Sequence, residues 1–484
     1  MGKVYLIGAG CGAYDLVTVK GMRLLKQADC VLYDRLIDPQ LLSMVPFHAE
    51  TIDVGKQDHR HTMPQKEIEA LLVEKAKQYD CVIRLKGGDP YVFGRGGEEA
   101  MALHQAKVPF EVVPGISSCI ASLTYAGFPI TQRGINRGFR VYSAHTKEDT
   151  LSDLDYASMA ESQDTFVFLM GRKHQRELFN QLLTHGKKET TPVALISNAG
   201  RYNQRVVIST LKAAYKQEIP MESPCTIVVG DVISLKDQMS FFEELPLLGK
   251  RILMPSLTKE IQGDMLREQG AMVEEVQVGV IKEASHALDA IDLSRYTYLL
   301  LTSAHGVHSF LHQLLEGGKD TRSLYGIRIA SIGAKTTEAL LQYGLHADIT
   351  AEKSDSVHMA QQLRTILKKE DQILIAKADN DNDTLQTMLH DYHVTMIPLY
   401  HSETIPFTTQ YETYDAIIFT SAFHVHACKD ILHQTDMCFS IGPHTTKALK
   451  EANIKNIIES EQADKQTLIK LVRKEFSKCI EEED

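Results

Sequence analysis

Two segments in the second half of this chain occur twice. Tyr298-Leu-Leu-Leu-Thr-Ser-Ala-His-Gly-Val-His308 reappears as Ala416-Ile-Ile-Phe-Thr-Ser-Ala-Phe-His-Val-His426. Likewise Ile329-Ala-Ser-Ile-Gly-Ala-Lys-Thr-Thr-Glu-Ala-Leu340 reappears as Cys438-Phe-Ser-Ile-Gly-Pro-His-Thr-Thr-Lys-Ala-Leu449. Each copy joins an apolar run of strand length to a short turn and then to a helical pattern. The spacing between copies is far too long for a solenoid, so the duplication calls for two similar α/β lobes with a cleft between them. A Thr-Ser pair where a strand hands over to a helix puts hydroxyls and unpaired backbone N–H groups at a helix N-terminus. That arrangement caps the helix, and it also suits carboxylates or phosphates. Four such junctions in duplicated pairs turn the reading toward a cleft for a polyanion.

The rest of the chain alternates in the same way. Residues 243–250, punctuated by Pro246 and Gly249, separate two halves, and domains are expected over 1–243 and 249–480. Residues 226–233 read as a closing strand before the break. After it comes a fresh strand, Arg251-Ile-Leu-Met254, and then a helical pattern over 257–270. Both halves alternate short β-branched runs with helical stretches, which predicts an α/β fold with largely parallel sheets. The 484 residues are 43% hydrophobic and 24% charged, enough for each half to bury a core, which excludes disorder as the main state. No run reaches the ~20 apolar residues of a membrane span. Eight cysteines are scattered without a C-x-x-C pair, which argues against a disulfide framework or zinc site and for thiols in a reducing compartment. Met1 leads straight into a strand-like run, so a soluble cytoplasmic protein with no membrane partner and no preceding module is expected. Residues 1–248 carry 28 Lys and Arg against 29 Asp and Glu, a net of −1, while residues 249–484 carry 24 against 34, a net of −10. Neither half is basic enough to bind nucleic acid.

The first half opens with a strand, Val4-Tyr-Leu-Ile7, that runs into a turn holding Gly8, Gly10 and Gly12; a helix over 16–27 follows, and a second strand, Cys30-Val-Leu-Tyr33, ends at Asp34. An acidic residue roughly 20 positions beyond a glycine turn is a mark of dinucleotide-binding folds, so a nicotinamide-dependent oxidoreductase stays a competing class. The spacing departs from that pattern, because Ala13 stands where a third glycine would let the helix pack closely. The denser motif is Arg84-Leu-Lys-Gly-Gly-Asp-Pro-Tyr-Val-Phe-Gly-Arg-Gly-Gly-Glu-Glu99. Ordering so many glycines costs more chain entropy than a plain turn warrants, which implies a close backbone approach to a ligand.

These blocks, in this order, resemble the tetrapyrrole methylases, most closely the uroporphyrinogen-III C-methyltransferases. The resemblance covers residues 1–240 and rests on GAGCG, LLKQADCVLYDRLI, VGK at 54–56, PQKEI at 64–68, RLKGGDP–GRGGEE, TPVALI and QRVV at 204–207. It implies two α/β lobes that bind S-adenosylmethionine between them, and a homodimer through this half. Carried over residue by residue, the cofactor contacts fall on Cys11, Gly87, Gly88, Asp89, Val92, Ser117, Ser118, Met170 and Ala199. The same resemblance makes Asp34 a proton acceptor and Lys56 a proton donor, although either can equally be a surface charge. A carboxylate beside the reacting ring is chemically reasonable, because methylating a pyrrole carbon leaves a proton to remove. Cys11 and Ala13 stand where the family usually has Pro and Asp, and Ala199 where Gly is common. Arg95, Arg133, Arg137 and Arg140 are candidates for gripping substrate carboxylates, since guanidinium binds them bidentately.

Residues 249–480 resemble the uroporphyrinogen-III synthases through GKRIL, the duplicated strand–TSA segments, SIGAKTTEALLQYGL, ILIAKAD, IPLYHSE and SIGPHTTKAL. The resemblance implies two α/β lobes joined by a two-stranded connection, with the first strand and helix returning to the lobe formed by the last third. It also implies conversion of hydroxymethylbilane to a ring with its last pyrrole inverted, without metal or organic cofactor, mostly by positioning the chain ends. Thr302, Ser303, Thr336, Thr420, Ser421 and Thr445 are the candidate carboxylate holders. Tyr400 is either a cleft residue or a packed hinge residue. His305, His308 and His312 share a helical face, with His424 and His426 in the sister segment. No carboxylate or cysteine completes a metal set, so surface histidines are expected. Together the halves read as two consecutive enzymes acting on hydroxymethylbilane and uroporphyrinogen III. Methylation of a later precorrin, and a tetrapyrrole-binding regulatory role for the second half, stay open as alternatives.

Overall fold

The run Lys3–Gly8 buries Val4 and Leu6 on one face of a sheet and Ile7 on the other, which is why it reads as continuously apolar. It is β1. With β2 (Cys30–Tyr33), β3 (Glu50–Asp53), β4 (Cys81–Lys86) and β5 (Phe110–Val113) it makes a sheet in the order β3-β2-β4-β1-β5. All four pairings are parallel. In this computed structural model the described residues are 2–55, 63–146, 149–258, 262–353, 355–379 and 384–481.

A second sheet follows, built from β6 (Phe139–Ser143), β7 (Thr165–Leu169), β8 (Pro192–Ser197), β9 (Arg205–Thr210) and β10 (Cys225–Val229) in the order β6-β7-β10-β8-β9. Here the parallel expectation fails. Only β6 and β7 run parallel, and β10 is antiparallel to both β7 and β8, as is β9 to β8. The link from β8 to β9 is too short for the helical crossover that parallel strands need, so those two close a hairpin. The run read as a closing strand, β10, lies at the sheet centre; a strand buried on both faces is apolar whichever way it runs.

Contacts divide the chain into two compact units: residues 1–252, 262–273 and 465–484 form one, and residues 253–261 and 274–464 the other. The helix expected over 257–270 is confined, among the described residues, to Asp264–Arg267.

The second unit is built on two sheets. Strands β11 (Arg251–Ser256) and β12 (Met272–Gln277) come first. Then β13 (Gly279–Glu283), β14 (Tyr298–Leu301), β15 (Arg328–Ser331), β16 (Ile349–Thr350), β17 (Gln372–Ala378) and β18 (His393–Thr404) form one sheet, and β19 (Ala416–Phe419), β20 (Cys438–Ser440) and β21 (Ile457–Glu459) rejoin the first pair. The orders are β12-β11-β19-β20-β21 and β13-β18-β17-β14-β15-β16. The first strands thus return to the last third of the chain, as expected. Chain crosses between the sheets just before β13 and just after β18, where Gly279 pairs with Thr404 in an antiparallel ladder and Ile405 N–H donates to the Val278 carbonyl at 3.2 Å. That is the two-stranded connection.

The sequence repeat is a repeat in space. β14 and β15 pair in parallel with Leu301 opposite Ser331, and β19 and β20 pair in parallel with Phe419 opposite Ser440. In each copy the strand serine is tied to the second threonine of the following helix: Ser331 to Thr337 at 2.8 Å and Ser440 to Thr446 at 2.5 Å. Leu299, Leu301, Phe310 and Leu399 fill one side of the larger sheet, and Leu300, Met359, Leu363 and Ile375 the other.

Candidate functional site

In the first unit, Gly8 at the end of β1 meets Gly88 and Gly115, just beyond β4 and β5, at the C-terminal ends of the parallel strands, where open α/β sheets bind ligands. A Cβ on Gly8 would lie 2.6 Å from Gly115 Cα and from the Gly88 carbonyl oxygen, and one on Gly115 only 2.2 Å from that oxygen. Side chains are therefore excluded, and backbones close the gap instead. Gly88 N–H donates to the Gly10 carbonyl at 2.8 Å. Asp89 locks the arrangement, accepting the N–H groups of Tyr91 at 2.8 Å and Gly115 at 3.0 Å. Gly88 itself has φ +70°, and a Cβ there would sit in ordinary van der Waals contact with Ser117 Cα at 3.6 Å and Ser118 N at 3.8 Å, beside the start of the helix that Ser117 caps.

Other predicted cofactor contacts stand around this cradle. Ser117 caps the helix Ser118–Tyr125, accepting from Cys119 N–H. Gly12 approaches the loop Ala199–Gly200, and Cys11 Sγ lies 3.9 Å from the Ala199 carbonyl. Burial pushes the Cys11 thiol up to about 11, so it stays a neutral, compact group. Val92 and Ala199 pack on an apolar cluster under the second sheet, Gly87 lies beside Leu36, and Met170 is half exposed at φ +58°.

Asp34 follows β2 and its carboxylate is 31% exposed. Beneath it lies an ion cluster that residue patterns had not singled out. Arg84 Nη2 donates to Asp34 Oδ1 at 2.5 Å, and Arg84 Nε to Glu99 Oε1 at 3.1 Å. Lys86 Nζ is 3.0 Å from Glu99 Oε1 and 4.0 Å from Asp34 Oδ2. The signal was available: Arg84 and Lys86 sit two apart, hence on one face, of an otherwise apolar strand at the middle of its sheet. Charges there must be paired. Lys56 lies outside the described residues.

A cavity of about 970 Å³ is lined by Pro90, Tyr91, Phe93, Arg95, Met101, Ser143, His145 and Met170, among others. Phe93, Arg95 and Met170 all have positive φ, at 52°, 59° and 58°, and such backbone strain concentrates at functional sites. Arg95 is already held by Glu98 at 3.0 and 2.7 Å. Arg140 is committed to Asp164 and Ser158, whereas Arg133 and Arg137 are exposed.

In the second unit Ser303 and Tyr400 meet on the larger sheet, and Thr420 and Ser421 meet through His424 on the other. On the larger sheet Ser303 caps the helix Ala304–Glu316 by accepting from Gly306 N–H, and its Oγ lies 2.8 Å from the Tyr400 hydroxyl. His305 stands edge-on to the Tyr400 ring at 4.5 Å between centroids. Thr302 lies beside Ser303, half-buried. On the other sheet Ser421 caps the helix Ala422–Ala427 through His424 N–H, and Thr420 Oγ1 lies 3.2 Å from His424 Nδ1. The histidine expectation needs correction here. His424 is buried and its pKa is pushed down to about 4 by burial, and His305 is half-buried with its own pKa lowered for the same reason. Helix Ala422–Ala427 buries His424 and Val425, which periodicity alone does not reveal. Thr336 and Thr445 are also buried, at 2% and 3% exposure, and the Thr336 hydroxyl donates to the Ile332 carbonyl. The helices Ala334–Gln342 and Pro443–Glu451 begin at Gly333 and Gly442 with no side-chain cap.

Residues 3–215 match the family described as tetrapyrrole (corrin/porphyrin) methylases, and residues 259–470 match uroporphyrinogen-III synthase HemD. The two matches define the class: a methylase of tetrapyrroles followed by a tetrapyrrole synthase. The porphyrin biosynthesis protein HemD of Ruminiclostridium josui is 34% identical over 497 residues, 98% of this chain and 97% of that protein. The siroheme synthase of Hahella chejuensis is 44% identical over 246 residues, 50% of this chain and 52% of its own. The uroporphyrinogen-III C-methyltransferase of Bacillus subtilis is 42% identical over 275 residues, 56% of this chain and 57% of its own. The chain belongs to the family that fuses a tetrapyrrole methylase to a uroporphyrinogen-III synthase.

Proposed function

We propose that this chain carries two consecutive enzymes. Residues 249–480 close hydroxymethylbilane to uroporphyrinogen III with inversion of the last ring. Residues 1–243 transfer two methyl groups from S-adenosylmethionine to uroporphyrinogen III, at C2 and C7, giving precorrin-2 for sirohaem and cobalamin. The observation that carries the methylase reading is the cradle in which Gly8, Gly88 and Gly115 bring three backbones together, with the carboxylate of Asp34 at the end of β2 in the same sheet. The cradle fits S-adenosylmethionine in its chemistry. Backbone at Gly87 and Gly88 leaves room that a side chain would fill, the Asp89 carboxylate supplies anionic oxygens for an ammonium, and Met170 offers a soft apolar face to an adenine. When bound, S-adenosylmethionine supplies the electrophilic methyl group.

Asp34 then takes the proton that methylation releases: C2 and C7 carry acid side chains and no hydrogen, so the C–H bond that breaks is on the adjoining bridge carbon, its electron pair neutralises the cationic ring, and an O–H bond forms on the carboxylate. Lys56 is the proton donor that the family resemblance implies. In the synthase half Thr302, Ser303, Thr420 and Ser421 hold substrate carboxylates through hydroxyl and backbone N–H groups, whereas the buried Thr336 and Thr445 are left to pack their helices. Tyr400, hydrogen-bonded to Ser303, offers a proton to the leaving hydroxide. The negative charge of this half lies away from that cleft. A homodimer through residues 1–243 fits the apolar side chains left in solvent there, such as Phe47 and Met101, and a reducing cytoplasm fits the free cysteines.

The test is a coupled reaction of the whole chain with hydroxymethylbilane and S-adenosylmethionine, products read by mass and isomer analysis. Dimethylated type III product is expected. The uninverted ring isomer alone, unmethylated, would refute both assignments, and stabilisation by NAD but not S-adenosylhomocysteine would refute the methylase half.

A further inference from the structure

The ion cluster under Asp34 is built from three side chains that no ligand can touch and one that it can. Glu99 is 0% exposed, Arg84 2% and Lys86 3%, while the Asp34 carboxylate is 31% exposed. Glu99 Oε1 gathers Arg84 Nε at 3.1 Å, Lys86 Nζ at 3.0 Å and Gln65 Nε2 at 3.4 Å, and Glu99 Oε2 is buried with no hydrogen-bond partner among the described residues. Two cations thus face two carboxylates, and the set is neutral only while Asp34 is ionised.

Stability does not explain such a cluster. Apolar side chains of similar volume would serve the middle of a sheet as well or better than buried ions. Among the described residues, the other charged groups near Asp34 are engaged elsewhere or in solvent. Asp38 accepts the N–H groups of Tyr14 and Gln40, Asp53 accepts that of Gly55, Glu98 pairs with Arg95, and Arg35 is exposed. The three buried charges are therefore the fixed field in which Asp34 gains and loses a proton.

We propose that Lys86 and Glu99 are positioning residues of the methyl-transfer site that, with Arg84 as the bridge, set the proton affinity of Asp34 in opposite directions. Lys86 holds that affinity down and Glu99 holds it up, so that Asp34 is fixed in place by Arg84 yet stays basic enough to accept a ring proton. The inference rests on the reading of Asp34 as proton acceptor. Burial and the neighbouring Arg84 also lower the pKa of Lys86, consistent with a cation kept in place by Glu99 rather than by water.

The experiment is the pH dependence of kcat for methyl transfer from S-adenosylmethionine to uroporphyrinogen III by the whole chain. A neighbouring charge at this range moves a carboxylate by about one to three pH units. Lys86→Met is expected to move the acid limb up by about one unit and Glu99→Gln to move it down by about one, with KM for S-adenosylmethionine unchanged. The double variant, in which the charge balance returns, is expected to restore the wild-type profile. A purely structural role would change the amount of folded enzyme without moving the limb in opposite directions. Should Glu99→Gln fail to fold, Lys86→Met and the double variant carry the same comparison. Unmoved limbs in an enzyme that Asp34→Asn inactivates would overturn this inference and leave Asp34 in its role. Wild-type methylation by Asp34→Asn would remove the proton-acceptor reading and this inference with it.

Discussion

Gly88 and Gly115 touch the same knot of backbone, yet an alanine at each should act on different properties. At Gly115 the new Cβ would lie 2.2 Å from the Gly88 carbonyl oxygen and 2.7 Å from Gly8 Cα. Relief needs a retreat of about 1 Å to reach van der Waals distance, and both neighbours are backbone. That movement breaks the Gly88 N–H bond to Gly10 at 2.8 Å and the Gly115 N–H bond to Asp89 at 3.0 Å. Each buried group left unpaired costs about 1–3 kcal/mol, so Gly115→Ala should destabilise the first unit by roughly 3–5 kcal/mol. At Gly88 the Cβ has room, 3.6 Å from Ser117 Cα and 3.8 Å from Ser118 N. The cost there is the left-handed backbone, φ +70°, about 1–2 kcal/mol. The methyl group instead stands against Ser117 and Ser118, two of the expected cofactor contacts. Gly88→Ala should melt only a few degrees lower yet bind S-adenosylhomocysteine at least tenfold more weakly, a loss of about 1.4 kcal/mol. Calorimetric titration and thermal unfolding read both quantities, and conversion of hydroxymethylbilane should be unaffected in Gly88→Ala. Wild-type affinity in Gly88→Ala would mean that the cradle is not where the methyl donor lies, and unchanged melting of Gly115→Ala would refute the steric argument.

Tyr400→Phe removes the hydroxyl that meets Ser303 at 2.8 Å, but Ser303 keeps its cap on Gly306 N–H at 2.9 Å. The stability loss should therefore stay near 1 kcal/mol, while ring closure slows and methylation of supplied uroporphyrinogen III does not. His424, neutral in the fold with a pKa of about 4 against an ordinary 6.5, binds a proton more readily when unfolded. Its stabilisation is complete above pH 6.5 and lost as pH falls toward 4, by roughly 3 kcal/mol; urea titrations over that range should show a shallower loss in His424→Gln. Glu111 is pushed down to about 2 by hydrogen bonds from Lys20 and Lys3. Its contribution is present above about pH 4.3 and lost as pH falls toward 2, so Glu111→Gln should flatten the acid end of the stability curve.

Sequence alone determined what depends on local pattern. The duplicated strand–turn–helix segments imposed two like lobes, because each copy has one buried strand and one amphipathic helix that must find the same partner. The register repeats down to Leu301 opposite Ser331 and Phe419 opposite Ser440. The glycine-dense block implied a close backbone approach, and Gly8, Gly88 and Gly115 make one. Strand direction in the second sheet was not legible, since β10 is apolar on both faces and period alone carries no sense of direction. Nor was the inward turn of His424, which depends on how the helix Ala422–Ala427 meets its sheet. The charge cluster was half visible. Arg84 and Lys86 announce themselves as cations in an apolar strand, but Glu99 follows thirteen residues after Lys86, on a helix start that reads as ordinary solvated acid. Only the tertiary placement of the helix Gly96–Gln105, from which Glu99 reaches Arg84 and Lys86 of β4, brings its carboxylate under Asp34. A charge inside a sheet has to be neutralised from wherever the tertiary fold can deliver a counter-charge, and no periodicity in the chain encodes that delivery.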